Sequence, residues 1–580
     1  MKRVLVGIML LLALQISPAA ATPLDELTRL AGNFPDDTQV FIAFRVDDAF
    51  FAAVDDVIAR AGATAPELVG EVPSIRRALD DSALAMTRGE EDFESLFRSW
   101  MGNTAALAVD NTASAMMGGD VRALIALEVT DRDATEAFLD DYVAANGRFE
   151  KSERYGGTLY ESESSFNSHY LLLDDVVLAT LSGQQSARSL NLRVRDSLAE
   201  SEAFTAALAT LPADQYNIVA YLNLPEIIAP IAAFAPMALG EGAPEDFDLT
   251  PVVEALGALT FGFTMVDEQS LVMDASLIVN DPTVFLESGV PLGDLPALDL
   301  DFAAYVPSNA GILIQEQNLG GSIMTLIAAV EEVGVQLEEA GLYPLLQGTR
   351  NPPYRPAELD VLQSFNLDDI ATFIQQSFRG MTGLTLEEGL GWMSADYATY
   401  IGYSLTDPNT LNLSLGVVTA VTDANAAAAF RDGLQNAFDQ GGVVYTTEGD
   451  NLVLSFLEDA FEEGMRELAP EADLIIGLSD DVLVFGTRPS AEHALDPQDG
   501  GLAGTAAYQA ARGAFLPDTH LLWYLSLPAL LNPMRDTLIS ADASAAQLYA
   551  LVDFIQSMSI TANSDATGTG VVRFAITLGD

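Results

Sequence analysis

One phrase occurs four times along this chain, and each copy has the features of a turn that opens into a β-strand. It consists of an apolar residue, a proline, a short polar turn with Asp or Asn, and an apolar run. Because proline fixes its φ angle and has no N–H to donate, it suits the approach to a strand. Asp and Asn support the turn through side-chain hydrogen bonds. The copies predict strand starts near Phe34, Leu211, Val306 and Leu516.

Other matches recur at a nearly constant spacing, which indicates a tandem duplication. The pair Trp100-Met101 is repeated 292 positions later at Trp392-Met393, and Val129-Thr130-Asp131 is repeated at that same spacing. The segment from Leu224 to Pro230 is repeated 303 positions later, with both of its prolines. The aspartate after each Val-Thr pair is typical of a helix N-cap at the exit of a strand.

We therefore predict an α+β protein built from two homologous halves, each mainly an antiparallel sheet with amphipathic helices packed on it. Residues 22–298 are expected to form the first repeat, which ends in a Pro/Gly-rich joint at 280–298. Residues 299–580 are expected to form the second. A Pro-rich stretch at 348–356 is expected to be a surface loop or linker.

Residues 1–21 have the pattern of a secretory signal peptide: Met1-Lys2-Arg3, a short apolar run and small residues up to Ala21. We expect a secreted or periplasmic protein whose mature chain has no transmembrane segment. The apolar run is shorter than the roughly 20 residues of a typical membrane span. An uncleaved N-terminal anchor is the alternative.

The composition excludes several classes of site. There is no cysteine, so disulfides, thiol nucleophiles, cysteine-held metals and c-type haem are excluded. After the leader Lys151 is the only lysine, so only Lys151 could form a Schiff base. The formal net charge of −58 disfavours nucleic acid as a partner, and solubility in an exposed environment is its simplest explanation. We assign no cofactor.

No catalytic motif emerges from the remaining reactive residues. His169, His493 and His520 lack the i, i+4 spacing of a paired zinc site. Gly402-Tyr403-Ser404-Leu405 lacks the closing glycine of a nucleophile elbow and lies within a predicted strand. Trp100 and Trp392 are expected to anchor equivalent cores. We therefore assign no catalytic residue.

Closely spaced carboxylates are common, since the chain has 84 acidic residues. Three Asp-x-Asp pairs have the spacing of calcium loops, but none continues into a complete loop. We interpret them as helix caps or turns and assign no metal ligand, while expecting weak Ca²⁺ binding by so acidic a surface. These pairs are Asp131/Asp133, Asp246/Asp248 and Asp299/Asp301.

The Pro-turn strand opening, the Trp-Met lead-in and the Val-Thr-Asp cap resemble the bacterial proteins grouped as domain of unknown function 3352. The resemblance extends over nearly the whole mature chain, and its motifs are structural rather than catalytic. It implies an exported or membrane-anchored bacterial protein without an assigned activity. It carries over no functional residue.

The sequence favours an exported, non-catalytic protein of the cell envelope or the extracellular space, with a binding or structural role. An apolar ligand or an envelope component is the expected partner, because a duplicated sheet can form a cleft. A carboxylate-dependent hydrolase acting on glycans is one alternative. A calcium-dependent surface or adhesion module is another.

Overall fold

A computed structural model represents the protein. The predicted signal peptide apart from Ala21, the stretch 348–356 and the pair Asp246/Asp248 lie outside the residues that it describes. The described residues are 21–64, 74–87, 89–110, 122–164, 168–180, 187–191, 196–239, 249–265, 269–286, 295–325, 327, 370–407, 410–454, 473–497, 499–541, 545–565 and 567–579.

The fold is α+β with extensive antiparallel sheet, which confirms the predicted class. The chain divides into two compact units. Unit 1 holds residues 1–295 together with 511–517 and 543–580, and unit 2 holds 296–510 and 518–542. The end of the chain thus belongs to the same compact unit as its beginning. The tandem duplication and its boundary at 298/299 stay predictions.

The strands alternate with helices along both units. The described strands are β1 (Thr22–Pro23), β2 (Val40–Arg45), β3 (Met101–Asp110), β4 (Arg122–Val129), β5 (Phe149–Arg154), β6 (Gly157–Ser162), β7 (Tyr170–Leu172), β8 (Val176–Thr180), β9 (Gln215–Tyr216), β10 (Ile218–Asn223), β11 (Leu256–Met265), β12 (Ser270–Val279), β13 (Ala310–Gln317), β14 (Asp396–Asp407), β15 (Thr410–Ala420), β16 (Tyr445–Glu448), β17 (Asn451–Leu454), β18 (Leu474–Leu478), β19 (Val482–Thr487), β20 (Leu521–Ser526), β21 (Ile555–Ser564) and β22 (Gly570–Leu578).

The described α-helices are α1 (Leu24–Leu27), α2 (Asp48–Thr64), α3 (Ile75–Met86), α4 (Phe93–Phe97), α5 (Arg132–Asn146), α6 (Glu202–Ala209), α7 (Leu224–Leu239), α8 (Thr250–Ala255), α9 (Thr283–Leu286), α10 (Ile370–Thr382), α11 (Leu386–Leu390), α12 (Ala424–Gly441), α13 (Arg488–Leu495), α14 (Ala506–Arg512), α15 (Leu527–Leu531), α16 (Arg535–Ala541) and α17 (Ala545–Phe554). Short 3-10 helices span Arg29–Asn33, Ala187–Leu190, Leu198–Glu200, Leu300–Tyr305, Leu502–Gly504 and Asn532–Met534. None of these helices is both long enough and apolar enough to cross a membrane.

Twelve antiparallel strands of unit 1 pair in the order β5-β6-β7-β8-β4-β3-β2-β10-β11-β12-β22-β21. The last hairpin of the chain, β21 and β22, joins this sheet because β22 pairs with β12. In unit 2 the order is β16-β17-β18-β19-β15-β14-β13-β20, again antiparallel throughout.

All four Pro-turn phrases open strands, as predicted. They precede β2, β10, β13 and β20. β2 pairs with β10 in unit 1, and β13 pairs with β20 in unit 2. In each unit, therefore, the two strands that follow a Pro-turn phrase pair with each other, and one of them lies early and the other late in the sequence.

The Val-Thr-Asp caps are also confirmed. The Asp131 side chain accepts a hydrogen bond from the backbone N–H of Ala134 at the start of α5. Asp423 accepts from the N–H groups of Asn425 and Ala426 at the start of α12. The sequence also predicts that Gly62 ends the helix that starts at Asp47-Asp48, because glycine is common just after a helix end. This prediction is wrong, because α2 continues through Gly62 to Thr64.

Trp100 and Trp392 lie in similar local settings. Each indole N–H donates to a backbone carbonyl of the preceding turn, at 3.0 and 2.8 Å. Each tryptophan carbonyl accepts from a threonine hydroxyl, that of Thr130 or that of Thr422. Both side chains are buried in their own unit, which confirms that they are core residues.

Candidate functional site

Four neighbouring strands of unit 1, β11, β12, β22 and β21, bury their polar side chains and leave many apolar ones partly exposed. On β12, Asp274 and Ser276 are buried, whereas Met273, Ala275 and Leu277 between them are partly exposed. Ordinary half-buried strands show the opposite arrangement. We call the buried polar side chains of these strands, which include Thr260, Asp274, Ser276, Thr561 and Arg573, the polar layer. A polar layer behind an accessible apolar surface is the informative feature of this sheet.

The strand register aligns the accessible side chains into continuous rows. We call these three rows together the apolar face. One row holds Phe44, Ile218, Phe263, Met273, Phe574 and Ile560, a second holds Leu107, Ile42, Ala220, Phe261, Ala275, Val572 and Ala562, and a third holds Val109, Val40, Leu222, Leu259 and Leu277. All of them are partly exposed except Val572, which is exposed at 42%.

The middle row crosses seven strands, from β3 to β21. At a strand spacing of about 4.8 Å, it is roughly 29 Å long. Three of its seven members, Ala220, Ala275 and Ala562, are small, and the other four are the larger Leu107, Ile42, Phe261 and Val572. The strand register therefore forms a long apolar strip across the sheet.

The helices next to this part of the sheet are themselves apolar. Helix α7 follows β10 directly and lies against β10 and β11, while α17 lies against β21. Glu226 is the only ionisable residue in the 16 residues of α7. Ile231 on the same helix is 42% exposed. An apolar helix with exposed side chains marks a surface that can receive an apolar ligand.

The polar layer on the opposite side is held by a buried ion pair. Arg573 donates from Nε and Nη2 to the two carboxylate oxygens of Asp274, at 2.6 and 2.9 Å. The Tyr216 hydroxyl donates to the same carboxylate at 2.8 Å. Burial, together with the charge of Asp274, raises the pKa of Tyr216. These contacts satisfy the buried charges, so the layer is a structural support.

Unit 1 also contains a cleft of about 440 Å³ beside α6. It lies on the polar-layer side of the sheet, because Tyr221, Ala258 and Ile278 alternate with members of the apolar face. Burial and the negative charge of Glu226 raise the pKa of Tyr221 to about 12, so its hydroxyl stays protonated at neutral pH. The cleft is lined by Glu202, Ala203, Ala206, Tyr221, Asn223, Pro225, Gly257, Ala258, Ile278 and Asn280.

The three histidines are not brought together into one site within either unit. His169 lies in unit 1, and its Nδ1 accepts a hydrogen bond from the backbone N–H of Ser162 at 3.0 Å. His493 lies in unit 2 and donates from Nε2 to the carbonyl of Ala304 at 3.0 Å. His520 follows the fourth Pro-turn and is partly exposed.

The predicted interpretation of two Asp-x-Asp pairs as caps is confirmed. Asp131 caps α5, and Asp299 accepts from the N–H of Asp301 at the start of a 3-10 helix. Ser404 lies within β14, opposite Asn412, as predicted for a strand residue. Across the residues that the structure describes, no three His, Asp or Glu side chains gather where they could hold a metal ion.

Lys151 is held by two carboxylates. Its Nζ lies 2.7 Å from Oδ1 of Asp140 and 2.9 Å from a carboxylate oxygen of Glu136. Burial alone lowers the pKa of Lys151, but the hydrogen bonds to Asp140 and Glu136 outweigh it and raise the pKa. Burial also raises the pKa of the adjacent Tyr160 to about 12. A raised pKa favours the protonated amine, which is not nucleophilic, so these contacts disfavour Lys151 as a Schiff-base residue.

Sequence reasoning missed a buried carboxylate in unit 2. Asp396 accepts hydrogen bonds from the backbone N–H of Asp299 at 2.7 Å and from the side-chain amides of Gln315 and Gln317 at 3.0 and 2.7 Å. Burial raises the pKa of Asp396, although these hydrogen bonds partly offset it. Asp396 follows Trp392 at a strand start, but no pattern in the sequence distinguishes it from the other acids.

The profile of a protein family described as "Protein of unknown function (DUF3352)" matches residues 27–341, just over half of the chain. This match confirms the resemblance that the motifs predict. No curated protein matches the chain.

Two solved structures show a distant likeness, and both are crystal forms of the protein TP0453. Form III is 13% identical, covers 48% of this chain and 90% of that chain, and has a TM-score of 0.23. Form I is 14% identical, covers 47% and 86%, and has a TM-score of 0.22. TM-scores this low support no conclusion about this chain.

Proposed function

We propose that this protein, which belongs to the DUF3352 family of proteins of unknown function, is exported and binds an elongated apolar molecule. The ligand is of the kind that carries a long acyl chain. It lies along the apolar face of unit 1. The protein binds this ligand and performs no chemistry on it.

Three aligned apolar rows on the sheet of unit 1 are partly exposed, and this exposure is the main support for the proposal. Apolar surface left in contact with water costs about 25 cal/mol per Å² relative to its burial. Monomeric soluble proteins rarely expose a contiguous patch of more than a few hundred Å². A surface of this length is therefore best explained by a ligand that covers it.

The shape of the apolar face favours a linear ligand over a compact one. Its middle row runs across seven strands with apolar side chains only, so an extended chain can lie along it. The length of roughly 29 Å exceeds that of a typical drug-sized molecule and suits an acyl chain. The absence of charged side chains from the three rows means that the chain, rather than a headgroup, supplies the contact.

The direct test uses diphenylhexatriene, a neutral linear fluorophore that brightens on leaving water. Neutrality matters because the chain carries a net charge of −58. Val572→Glu places a charge on an exposed position of the apolar face without filling the core. Val444→Glu, at an 82% exposed valine of unit 2, is the matched control. Neutral monopalmitoylglycerol should displace the fluorophore.

We expect the native protein and the Val444→Glu variant to bind the fluorophore equally. Val572→Glu should weaken binding by about tenfold or more, because burying an unpaired carboxylate against an apolar ligand is unfavourable. Equal binding by both variants, or no displacement by monopalmitoylglycerol, would exclude the apolar face as the site.

Export is the second part of the proposal, and the N-terminal pattern supports it. Met1-Lys2-Arg3, the apolar run and the Ala-rich end together match a cleavable signal. The denatured mass of protein collected outside the cytoplasm of its host tests this directly. We expect the mass of a chain that begins at residue 22, whereas the mass of the full-length chain would indicate a retained anchor.

Tandem duplication is the third part, and the pairing orders support it. The strand order β5-β6-β7-β8-β4-β3-β2-β10 in unit 1 corresponds strand for strand to β16-β17-β18-β19-β15-β14-β13-β20 in unit 2. Phe204 packs edge-on against Tyr221 with 5.0 Å between the ring centroids, and Tyr508 packs in the same way against Tyr524 with 5.3 Å between the centroids. An alignment of the two halves in related sequences that keeps these positions in register is the test.

A further inference from the structure

The cleft beside α6 is separate from the apolar face. Its wall residues Tyr221, Ala258 and Ile278 alternate along β10, β11 and β12 with Leu222, Leu259 and Leu277 of the apolar face. Successive side chains of a strand point to opposite sides of a sheet. The cleft is therefore a second candidate site in unit 1, and a ligand there does not compete with one on the apolar face.

The cleft has the size and the wall chemistry of a small-molecule site. Its volume of about 440 Å³ lies within the range of roughly 300–1,000 Å³ that ligand pockets occupy. Ala203 and Ala206 of α6 form one wall, with Pro225 and the ring of Tyr221 nearby. Tyr221 is only 1% exposed, so the ring is fixed in position. Phe204 supports it edge-on at 5.0 Å.

The polar groups at the cleft provide hydrogen-bond acceptors. Asn280 uses its amide nitrogen to donate to the carbonyl of Leu256 at 2.9 Å, which leaves its oxygen to accept. That oxygen lies next to Gly257: a Cβ atom added at Gly257 would be only 3.0 Å from the Asn280 side-chain oxygen. Glu202 adds a carboxylate on the first turn of α6. Among the described residues that line the cleft there is no Lys, Arg or His.

We propose that this cleft binds a small organic amine in its ammonium form, with an apolar body against Ala203, Ala206 and Tyr221. The ammonium group donates to Glu202 and to the side-chain oxygen of Asn280. An ammonium group has three donors and no acceptor, which matches an acceptor-rich rim. The net charge of −58 also raises the local concentration of cations.

The test compares three probes that share one apolar body but differ in charge: 2-phenylethylammonium, 2-phenylethanol and phenylacetate. Binding is measured by isothermal titration calorimetry at physiological salt concentration, because the salt screens the long-range attraction between the acidic protein and a cation. We expect the ammonium probe to bind, the alcohol to bind about tenfold more weakly, and phenylacetate not to bind. Equal binding of the ammonium and the alcohol, or no binding of the ammonium, would overturn the proposal.

Three variants locate the binding. Ala206→Phe fills the cleft from an exposed helix position and should abolish binding. Ala209→Phe, on the same helix but not lining the cleft, should leave binding unchanged. Glu202→Gln should weaken the ammonium and leave the alcohol nearly unaffected. Unaltered binding in Ala206→Phe would show non-specific attraction to the acidic surface. Val572→Glu should not change binding of these probes, so failure here is distinguishable from failure of the apolar-face proposal.

Discussion

Asp274 and Arg573 lie directly opposite each other on β12 and β22, although 299 positions separate them along the chain. Their side chains form a two-point ion pair, and they are 0% and 7% exposed. The pair joins the last strand of the chain to a strand of the first 295 residues, within one compact unit. Arginine and carboxylate are well suited to such a paired contact because their geometries match.

Breaking this pair should strongly destabilise unit 1. Arg573→Met keeps an unbranched side chain but removes the guanidinium group, so the Asp274 carboxylate stays buried without its cation. Removing one partner of a buried pair typically costs about 3–5 kcal/mol. We expect a loss of that order in the free energy of unfolding, measured by urea denaturation.

Arg154→Met is the matched control for this prediction. Arg154 pairs with Glu161 on the surface, where the two side chains are 51% and 39% exposed. Exposed pairs contribute roughly 0–1 kcal/mol, so the control should be nearly neutral. Similar losses in both variants would show that the buried pair has no special role.

The sequence predicts the local elements well because their causes are local. A proline followed by a polar turn specifies a strand start, and an aspartate after a strand specifies a helix cap. Both features were found at the predicted residues, for example before β2 and at Asp131. Gly62 failed as a predicted helix end because a glycine within a helix costs only about 1 kcal/mol, which packing can outweigh.

Long-range features could not be predicted in the same way. The pairing of β12 with β22 depends on strands at opposite ends of the chain, and no local pattern specifies it. The alternation in β11 and β12 predicts two different faces, but it does not say which of them the fold covers. Alternation normally places the apolar face inside, and here the buried Asp274 reverses that expectation.

Glu128, on β4, should stabilise the neighbouring strand β3 despite being charged. One of its carboxylate oxygens accepts from the backbone N–H groups of Asn103 and Thr104, at 2.9 and 3.1 Å. Glu128→Ala removes the acceptor, so we expect a loss of about 1–3 kcal/mol. Glu150→Ala, at an exposed residue of β5, should be nearly neutral when both are compared by thermal unfolding. A neutral Glu128→Ala would contradict the prediction.

Asp396 should make the stability of unit 2 fall as pH rises. Burial raises its pKa in the folded state above the unfolded value. Between these two values the unfolded state releases its proton first, so rising pH favours unfolding. We expect the difference in unfolding free energy between the native protein and Asp396→Asn to change from about pH 4 upward.

The change should stop once Asp396 is ionised in both states. Asp141→Asn, at an exposed residue of α5, serves as the control and should show no comparable change. Because the comparison uses the slope with pH, it does not depend on the constant cost of the substitution itself. A slope of opposite sign would show that the hydrogen bonds outweigh burial.

Lys151 should react slowly with amine-selective acylating reagents at mildly alkaline pH. Its hydrogen bonds to Asp140 and Glu136 raise its pKa and keep it protonated. The double change Asp140→Asn with Glu136→Gln should increase the rate of labelling, measured by peptide mass spectrometry. The N-terminal amine of the same molecules supplies the internal standard. Rapid labelling of native Lys151 would contradict the prediction.

The most direct test of the central claim is to map where an apolar ligand lies. A neutral monoacylglycerol with a photoreactive group in its chain is bound to the whole protein, irradiated, and its adducts are located by peptide mass spectrometry. If the ligand lies on the apolar face, adducts form in β10, β11, β12 and β22, are suppressed by excess monopalmitoylglycerol and are reduced in Val572→Glu. Adducts confined to unit 2, or adducts that competitor does not suppress, would contradict that claim.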